Sequence, residues 1–410
     1  MLAATFTLLL VALQGLCMDG ELHPEQLIPF AAVLVMGWGL YIFSIGVMHR
    51  VSFEIETVAF LLSGIGVQLL SAFDIEGITT QLAAMLLGML LFCFMIWFMG
   101  DMDRVAKCRL WIGLGAILLL GATLVLGTNT YGSTNWIRIG PLSVQPSEFV
   151  KIAFIFVGTS TLDRLQTKKN IGEFLIFTGA CIGLLALMPD FGMALILFAT
   201  FLIIAFMRSG SVRTIALVLA GAVLAVFVIL AVKPYVLDRF LGWGHVWDHI
   251  NDEYGYQQTR TLTYIASGGL FGLGLGNSYL ASVFAADSDL VFGLLCEQQG
   301  LLLGLVVLLA FVLWVFYARS DVTRSRSTFF SIAACAAAGM LLFQTALNVY
   351  GATDVLPLTG VTLPFISSGG SSLISVWGMM AFLKASDERT YAARRASRKS
   401  LRENTPPPPP

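Results

Sequence analysis

Apolar residues in this chain run in blocks of about twenty, and the polar residues gather between the blocks rather than alternating within them. A run of that length suits an α-helix crossing a hydrocarbon core of about 30 Å, where every backbone polar group must be satisfied inside the helix. The blocks lie near residues 3–18, 28–47, 56–73, 81–100, 109–127, 148–162, 173–188, 191–208, 212–232, 290–317, 328–349 and 364–384, and they predict twelve helices. The first is short for a span, yet no basic leader and no small-residue cleavage pattern precede "CMDG". It reads as a retained helix rather than a signal peptide.

Three long irregular segments interrupt the pattern, at 127–151, 233–289 and 350–372. They are rich in Trp, Tyr, Gly and Pro, unlike disordered chain, so ordered and functional loops are expected. The last residues, "RRASRKSLRENTPPPPP", are basic and then proline-only, which predicts a flexible end able to lie on anionic lipid.

Composition agrees with the blocks. Hydrophobic residues make up 57% of the chain, charged residues 12%, and the mean hydropathy is +0.83. These values predict an all-α polytopic membrane protein with no separate soluble domain. The six cysteines are scattered and lack metal or redox spacing, so they read as packing residues. Nineteen of the 24 Lys and Arg fall on alternate connections and the C-terminal tail, counting Lys384 with that tail. By the positive-inside rule both termini are expected in the cytoplasm. The other five cations, Arg138, Lys151, Lys233, Arg239 and Arg260, then belong to the outer half.

Several motifs have a bland reading that outweighs the functional one. "GGLFGLGLG" (268–276) has the look of a dinucleotide fingerprint but no strand-helix-strand context, so its glycines predict close backbone approach and a break between helices. "GHVWDHIND" would put His245 and His249 on one helical face near Asp248 and Asp252. A metal site is one reading, and an interfacial lid anchored by Trp243 and Trp247 is the favoured one. "SSGGSS" (367–372) has no histidine in the adjacent segments to activate a serine, so helix capping around a glycine break explains it better.

What remains is a set of polar groups at the outer face. Glu148 and Lys151 share a helix face behind Gln145, Pro146 and Ser147, and Asp190 stands between two spans joined by almost no loop. Farther on come Gln257, Arg260, Asp287, Asp289 and Glu297, then Gln344 and Asn348. Ionisable residues at membrane depth are costly and point to function, with structural ion pairing as the alternative. Asp287 and Asp289 would point in opposite directions if the chain enters the next helix extended. Glu297, eight residues on, would lie roughly 12 Å deeper as a buried pairing or support group.

The chain resembles the SEDS family (shape, elongation, division and sporulation proteins: FtsW, RodA and SpoVE). "NWIRIGPLSVQPSEFVK" is similar to the family's first outer loop and following helix, "MPDFG" to its short acidic connection, and "GYQQTRTLTYIASGGLFGLGLGNS" to its large outer loop. "DSDLVFGLLCEQQG" and "PLTGVTLPFISSGGSS" resemble the exit from that loop and the signature near the last helix. Arg260 stands where the family usually has a second glutamine, the proline common near Ala285 is absent, and Ser368 replaces a common tyrosine. The resemblance implies a ten-helix membrane domain over 51–386 with its large loop at 233–289, a two-helix addition at 1–50, and a tail at 387–410.

It also implies a peptidoglycan glycosyltransferase that polymerises lipid II on the outer face of a bacterial cytoplasmic membrane, with a class B penicillin-binding protein and other cell-wall assembly proteins as partners. By position Asp289 matches the family's proposed catalytic aspartate. Glu148, Lys151, Asp190, Gln145, Gln257, Arg260, Ser367, Gly369 and Gly370 would bind substrate, with Glu297, Gln344 and Asn348 in support. A sugar hydroxyl must lose a proton as it attacks, and a water-shielded carboxylate suits that task. Fixed cations would stabilise the leaving diphosphate, first Lys151 and Arg260, then Lys233 and Arg239. No cofactor is required by this chemistry; a divalent cation could share the charge, but no clean ligand set is visible. A lipid-precursor transporter and a noncatalytic assembly scaffold are the rival readings, and the chain shows no internal repeat of the transporter kind.

Overall fold

A computed structural model of the chain describes residues 1–18, 21–48, 52–75, 77–130, 133–140, 142–163, 168–210, 212–213, 216, 219–220, 242–252, 255–321, 325 and 327–387. Among the described residues the α-helices are α1 (Leu2–Leu16), α2 (Leu27–Gly46), α3 (Glu54–Ser71), α4 (Ile78–Met99), α5 (Met102–Leu126), α6 (Pro146–Asp163), α7 (Lys168–Leu187), α8 (Phe191–Ser209), α9 (Tyr256–Gly268), α10 (Val291–Asp321), α11 (Thr328–Ala352) and α12 (Gly370–Ser386). Eleven of the twelve apolar blocks correspond to these helices, and most of the block at 212–232 lies outside the described residues. The protein is an all-α polytopic membrane fold. Among the described residues, seven helices are long and apolar enough to cross a bilayer on their own composition.

The remaining differences from the sequence pattern have local causes. The 127–151 segment holds a small antiparallel sheet of β1 (Thr128–Thr130), β2 (Ser133–Ile139) and β3 (Leu142–Val144), in the order β1-β2-β3. In its second ladder Ile137 opposes Val144 and Arg138 opposes Ser143, with Gly140 at positive φ in the turn. α9 lies inside the large loop, where low hydropathy hid it from a search for apolar runs. α12 starts at Gly370 rather than near 364, because Pro364 and the positive φ of Phe365 keep the preceding loop irregular.

α10 is not one continuous rod. Gly300 has φ 84° and ψ 161°, which divides the helix into an entry piece and a longer piece. The glycine-rich 268–276 stretch lies against this break: Leu273 and Gly274 donate N–H groups to the carbonyls of Glu297 and Gln298, and Leu301 and Leu302 donate to Gly269 and Leu270. A Cβ at Gly272 would stand 2.2 Å from the Gln298 carbonyl oxygen, and one at Gly300 2.3 Å from that of Leu270. The glycines are therefore there for backbone-to-backbone approach, which satisfies the groups freed by the break.

α11 and α12 form the centre of the bundle, with Ala333, Ala336, Met340, Val376, Trp377 and Met380 fully buried. Trp377 donates its indole N–H to Ser63 on α3. At the end away from the loops, Lys384 is buried rather than part of a basic tail. Its ammonium meets Glu56 at 2.9 Å and the Ser52 carbonyl, while Asp387 accepts from Ser52 and Tyr317. Apolar side chains such as Leu110, Trp111, Leu118 and Val125 on α5 face outward, as a lipid-solvated surface requires.

Candidate active site

The irregular segments and the helix ends next to them meet at one end of the bundle. Pro146 and Ser147 open α6, and Glu148 in the same first turn forms an ion pair with Lys151, one turn on, at 2.6 Å with their side chains 3% and 0% exposed. Lys151 also donates to Gln344 Oε1 at 2.9 Å, and Ser375 on α12 donates to Glu148 at 2.8 Å. Gln344 in turn donates to the Thr362 carbonyl, and the Thr362 hydroxyl meets Ser372 at 2.9 Å. Every member of this buried chain has a partner, which is what makes a charge tolerable there. The ammonium is already engaged by protein groups, so its geometry is that of a brace.

Asp190 caps α8, accepting the Met193 N–H at 3.1 Å. Its other oxygen accepts from Asn135 of β2 at 3.2 Å, Gln145 at 3.3 Å and Ser147 at 3.5 Å. Desolvation pushes this carboxyl above the ordinary carboxylate range; hydrogen bonds from Asn135, Met193 and Gln145 pull it back, and the neighbouring Glu148 charge adds to the rise. The small sheet is thereby tied to the head of α8. Gln145 also donates its N–H to Ser371, which ties the sheet's exit to α12.

Asp289 ends a tight turn rather than an extended entry, correcting the expectation that Asp287 and Asp289 point apart as strand neighbours. Ala285, at φ 60°, accepts N–H groups from Ser288, Asp289 and Leu290. The turn is fixed from three sides. Ser367 donates to the Ser288 carbonyl at 2.6 Å, the Ser368 N–H donates to the Asp287 carbonyl at 2.8 Å, and Asn348 donates to the Asp289 carbonyl at 2.9 Å. Asn348 also donates to the Val361 carbonyl at 2.7 Å. A Cβ at Gly360 would stand 3.4 Å from Asp289 Oδ2, so the half-buried carboxylate faces this glycine.

Ser367 acts here as a staple between loops and not as a helix cap: its hydroxyl also accepts the Leu363 N–H, and Gly369 starts α12 without a side-chain cap. Gly369 donates to Gln81 of α4, Gln81 donates back to the Ser367 carbonyl, and Gly369 and Gly370 are half-buried. On α9, Gln257 donates to the Phe284 carbonyl just before the aspartate turn. The Arg260 guanidinium lies 5.3 Å from the centre of the Tyr256 ring, and Arg260 remains half-buried. Glu297, fully buried, accepts from the Ser278 hydroxyl and from the N–H groups of Tyr279 and Leu280. It anchors the loop through hydrogen bonds.

Asn135, Gln81, Thr362 and Ser375 belong to these networks although the sequence does not single them out, and Ser372 belongs through its bond with Thr362. Gln81 carries little signal of its own, because it follows Thr79 and Thr80 at the polar start of α4. Lys233 and Arg239 lie outside the described residues. His245 lies 3.9 Å from Asp248 and His249 3.0 Å from Asp252, and among the described residues no three His, Cys, Asp or Glu side chains gather as a metal site. Trp243 does tie its segment to the 350–372 loop, donating to the Val355 carbonyl, beside a Gly244 to Asp354 bond.

Residues 46–391 match the family model of the cell cycle proteins FtsW, RodA and SpoVE. The probable peptidoglycan glycosyltransferase FtsW of Bacillus subtilis (strain 168) is 32% identical over 333 residues, covering 74% of this chain and 79% of its own. Its counterpart from Buchnera aphidicola is 32% identical over 273 residues, covering 63% of this chain and 67% of its own. A solved chain from a peptidoglycan synthase complex that coordinates polymerization and crosslinking superposes with TM-score 0.68 at 25% identity, over 81% of this chain and 96% of that one. The rod shape determining protein RodA of Thermus thermophilus shares the fold, with TM-score 0.60 at 23% identity over 81% of this chain and 95% of its own.

Proposed function

The chain belongs to the family of cell cycle proteins FtsW, RodA and SpoVE and is a peptidoglycan glycosyltransferase, and we propose that it polymerises lipid II at the outer face of a bacterial cytoplasmic membrane. The observation that carries this reading is the aspartate turn. A carboxylate that must take a proton needs a fixed position, and Asp289 sits on a turn held at three points and faces Gly360. The acceptor sugar hydroxyl attacks the anomeric carbon of the donor, its proton passes to Asp289, and the bond to the lipid-linked diphosphate breaks with the electron pair leaving on the diphosphate.

Among the described cations Arg260 is the one best placed to meet that diphosphate, since it is half-buried on the same loop and engages a ring rather than a carboxylate. Lys151 braces the site through Glu148 and Gln344. Asp190 and Gln145 hold the small sheet, Gln257 holds the α9 side of the aspartate turn, and Ser367 with Gly369 and Gly370 forms the loop facing it. Glu297, Gln344 and Asn348 act in support. Both termini face the cytoplasm in this reading, and a class B penicillin-binding protein supplies the crosslinking partner, the counterpart of the relative found in a synthase complex. The polyprenyl chain stays in lipid while the sugars stay in water, which accounts for a base at a helix entry.

Purified protein supplied with lipid II, with and without its transpeptidase partner, is expected to form glycan chains. A folded preparation that forms none under either condition overturns the reading and leaves the transporter and the scaffold, which bilayer transport of labelled precursor would separate. Orientation has its own measurement. A cysteine placed at the exposed Phe284 is expected to react with a membrane-impermeant reagent added outside, and one placed at Ser400 is not. The opposite sidedness would move the whole site to the cytoplasm.

A further inference from the structure

α1 precedes the residues that match the family, yet it is not a peripheral anchor. Its inner face, Ala4, Leu8, Val11, Ala12 and Gly15, is buried, and the Leu8 carbonyl accepts from Gln68 on α3 at 3.0 Å. The contacts at its C-terminal end converge on the broken region of α10. Gln299, which immediately precedes the break at Gly300, donates to Gln14 at 2.9 Å. Leu275 lies so close to Gly15 that a Cβ there would stand 2.9 Å from its side chain, and Met18 packs on Gly276. The Gly276 N–H is itself bonded to Gln298. The same few residues of α10 include Glu297, which holds the loop at 278–280.

We propose that α1 is a positioning strut for the active site, with Gln14, Gly15 and Met18 clamping the 270–280 loop onto the break in α10 and so fixing the approach to the Asp289 turn. The physical reason is that the 270–280 backbone is held to the break mainly by the carbonyls and side chains of Glu297 and Gln298 rather than by a helix of its own. A local unit held by so few bonds opens easily unless a neighbouring element packs against it. α1 supplies that packing from outside the family-matched region. The catalytic part of this inference rests on the function proposed above; the structural part does not.

Gly15→Leu tests it, because leucine favours the helix but cannot fit against Leu275 at the observed approach. Native-state hydrogen exchange in the full-length protein should show the amides of 273–280 opening about tenfold faster, with the amides of α8 unchanged as an internal control. Polymerisation should show kcat down by about tenfold with KM for lipid II nearly unchanged, since the loss is one of geometry. Adding Leu275→Ala to make room should restore both readouts. If Gly15→Leu does not fold, Gln14→Leu removes only the amide contact and is read by the same exchange measurement. Unchanged protection at 273–280 in a folded variant overturns the strut, as does a fall in kcat with that protection intact. Failure of the functional reading looks different: wild-type protein makes no glycan, while the exchange result still decides the strut.

Discussion

Asp289→Asn is expected to lower glycan synthesis by about 10²- to 10⁴-fold, the usual contribution of a general base, while leaving the protein folded. The amide keeps the shape of the carboxylate but cannot accept the proton of the attacking hydroxyl. Folding should change little, because the bonds that hold the turn use backbone carbonyls of Asp287, Ser288 and Asp289. Lipid II binding should also persist, since the lipid tail binds apolar surface and the amide still hydrogen-bonds. Asp287→Asn should be milder, because the structure engages Asp287 through its backbone carbonyl to Ser368. The measurement is glycan chain formation by each purified variant with a thermal melt alongside. A well-folded Asp289→Asn protein that polymerises at the wild-type rate would remove the aspartate from the chemistry and turn attention to Asp287 and Glu297.

The second large effect is on stability as well as turnover. Lys151→Met keeps most of the side chain and removes its charged end, leaving the buried Glu148 carboxylate with Ser375 but without its cation. Breaking a buried pair from one side costs about 3 to 5 kcal/mol, so a large loss of membrane-inserted protein and a lowered melting temperature are expected. Adding Glu148→Gln removes the stranded charge and should recover much of the folding. Polymerisation should stay low in that double variant, because Gln344 and through it the Thr362 segment lose the ammonium that fixes them. Wild-type turnover by Lys151→Met would show that the brace is dispensable for the site.

The membrane class and the helix blocks were legible because hydrocarbon solvation imposes a length and a polarity on every span. Charge placement suggested which loops share a side, and the rare ionisable residues at membrane depth marked Glu148, Lys151, Asp190, Asp289 and Glu297 as candidates. Glu148 and Lys151 could be paired from sequence alone, since residues three apart share a helix face. The glycines of 268–276 could be read as a place of close approach, though not what they approach.

Tertiary structure decided everything that depends on contacts between distant segments. Neither the union of Lys151 with Gln344, nor that of Asp190 with Asn135, nor the staple from Ser367 to Ser288 has a local pattern, because each joins segments far apart in the chain that only the packing of the helices brings together. The turn at Ala285 hid behind an ordinary alanine, whose positive φ only the surrounding bonds enforce. Lys384 looked like the first cation of a basic tail, yet Glu56, more than three hundred residues earlier, buries it. The length and apolarity of each block fix where a span lies; which polar groups end up facing one another is fixed by how the helices pack.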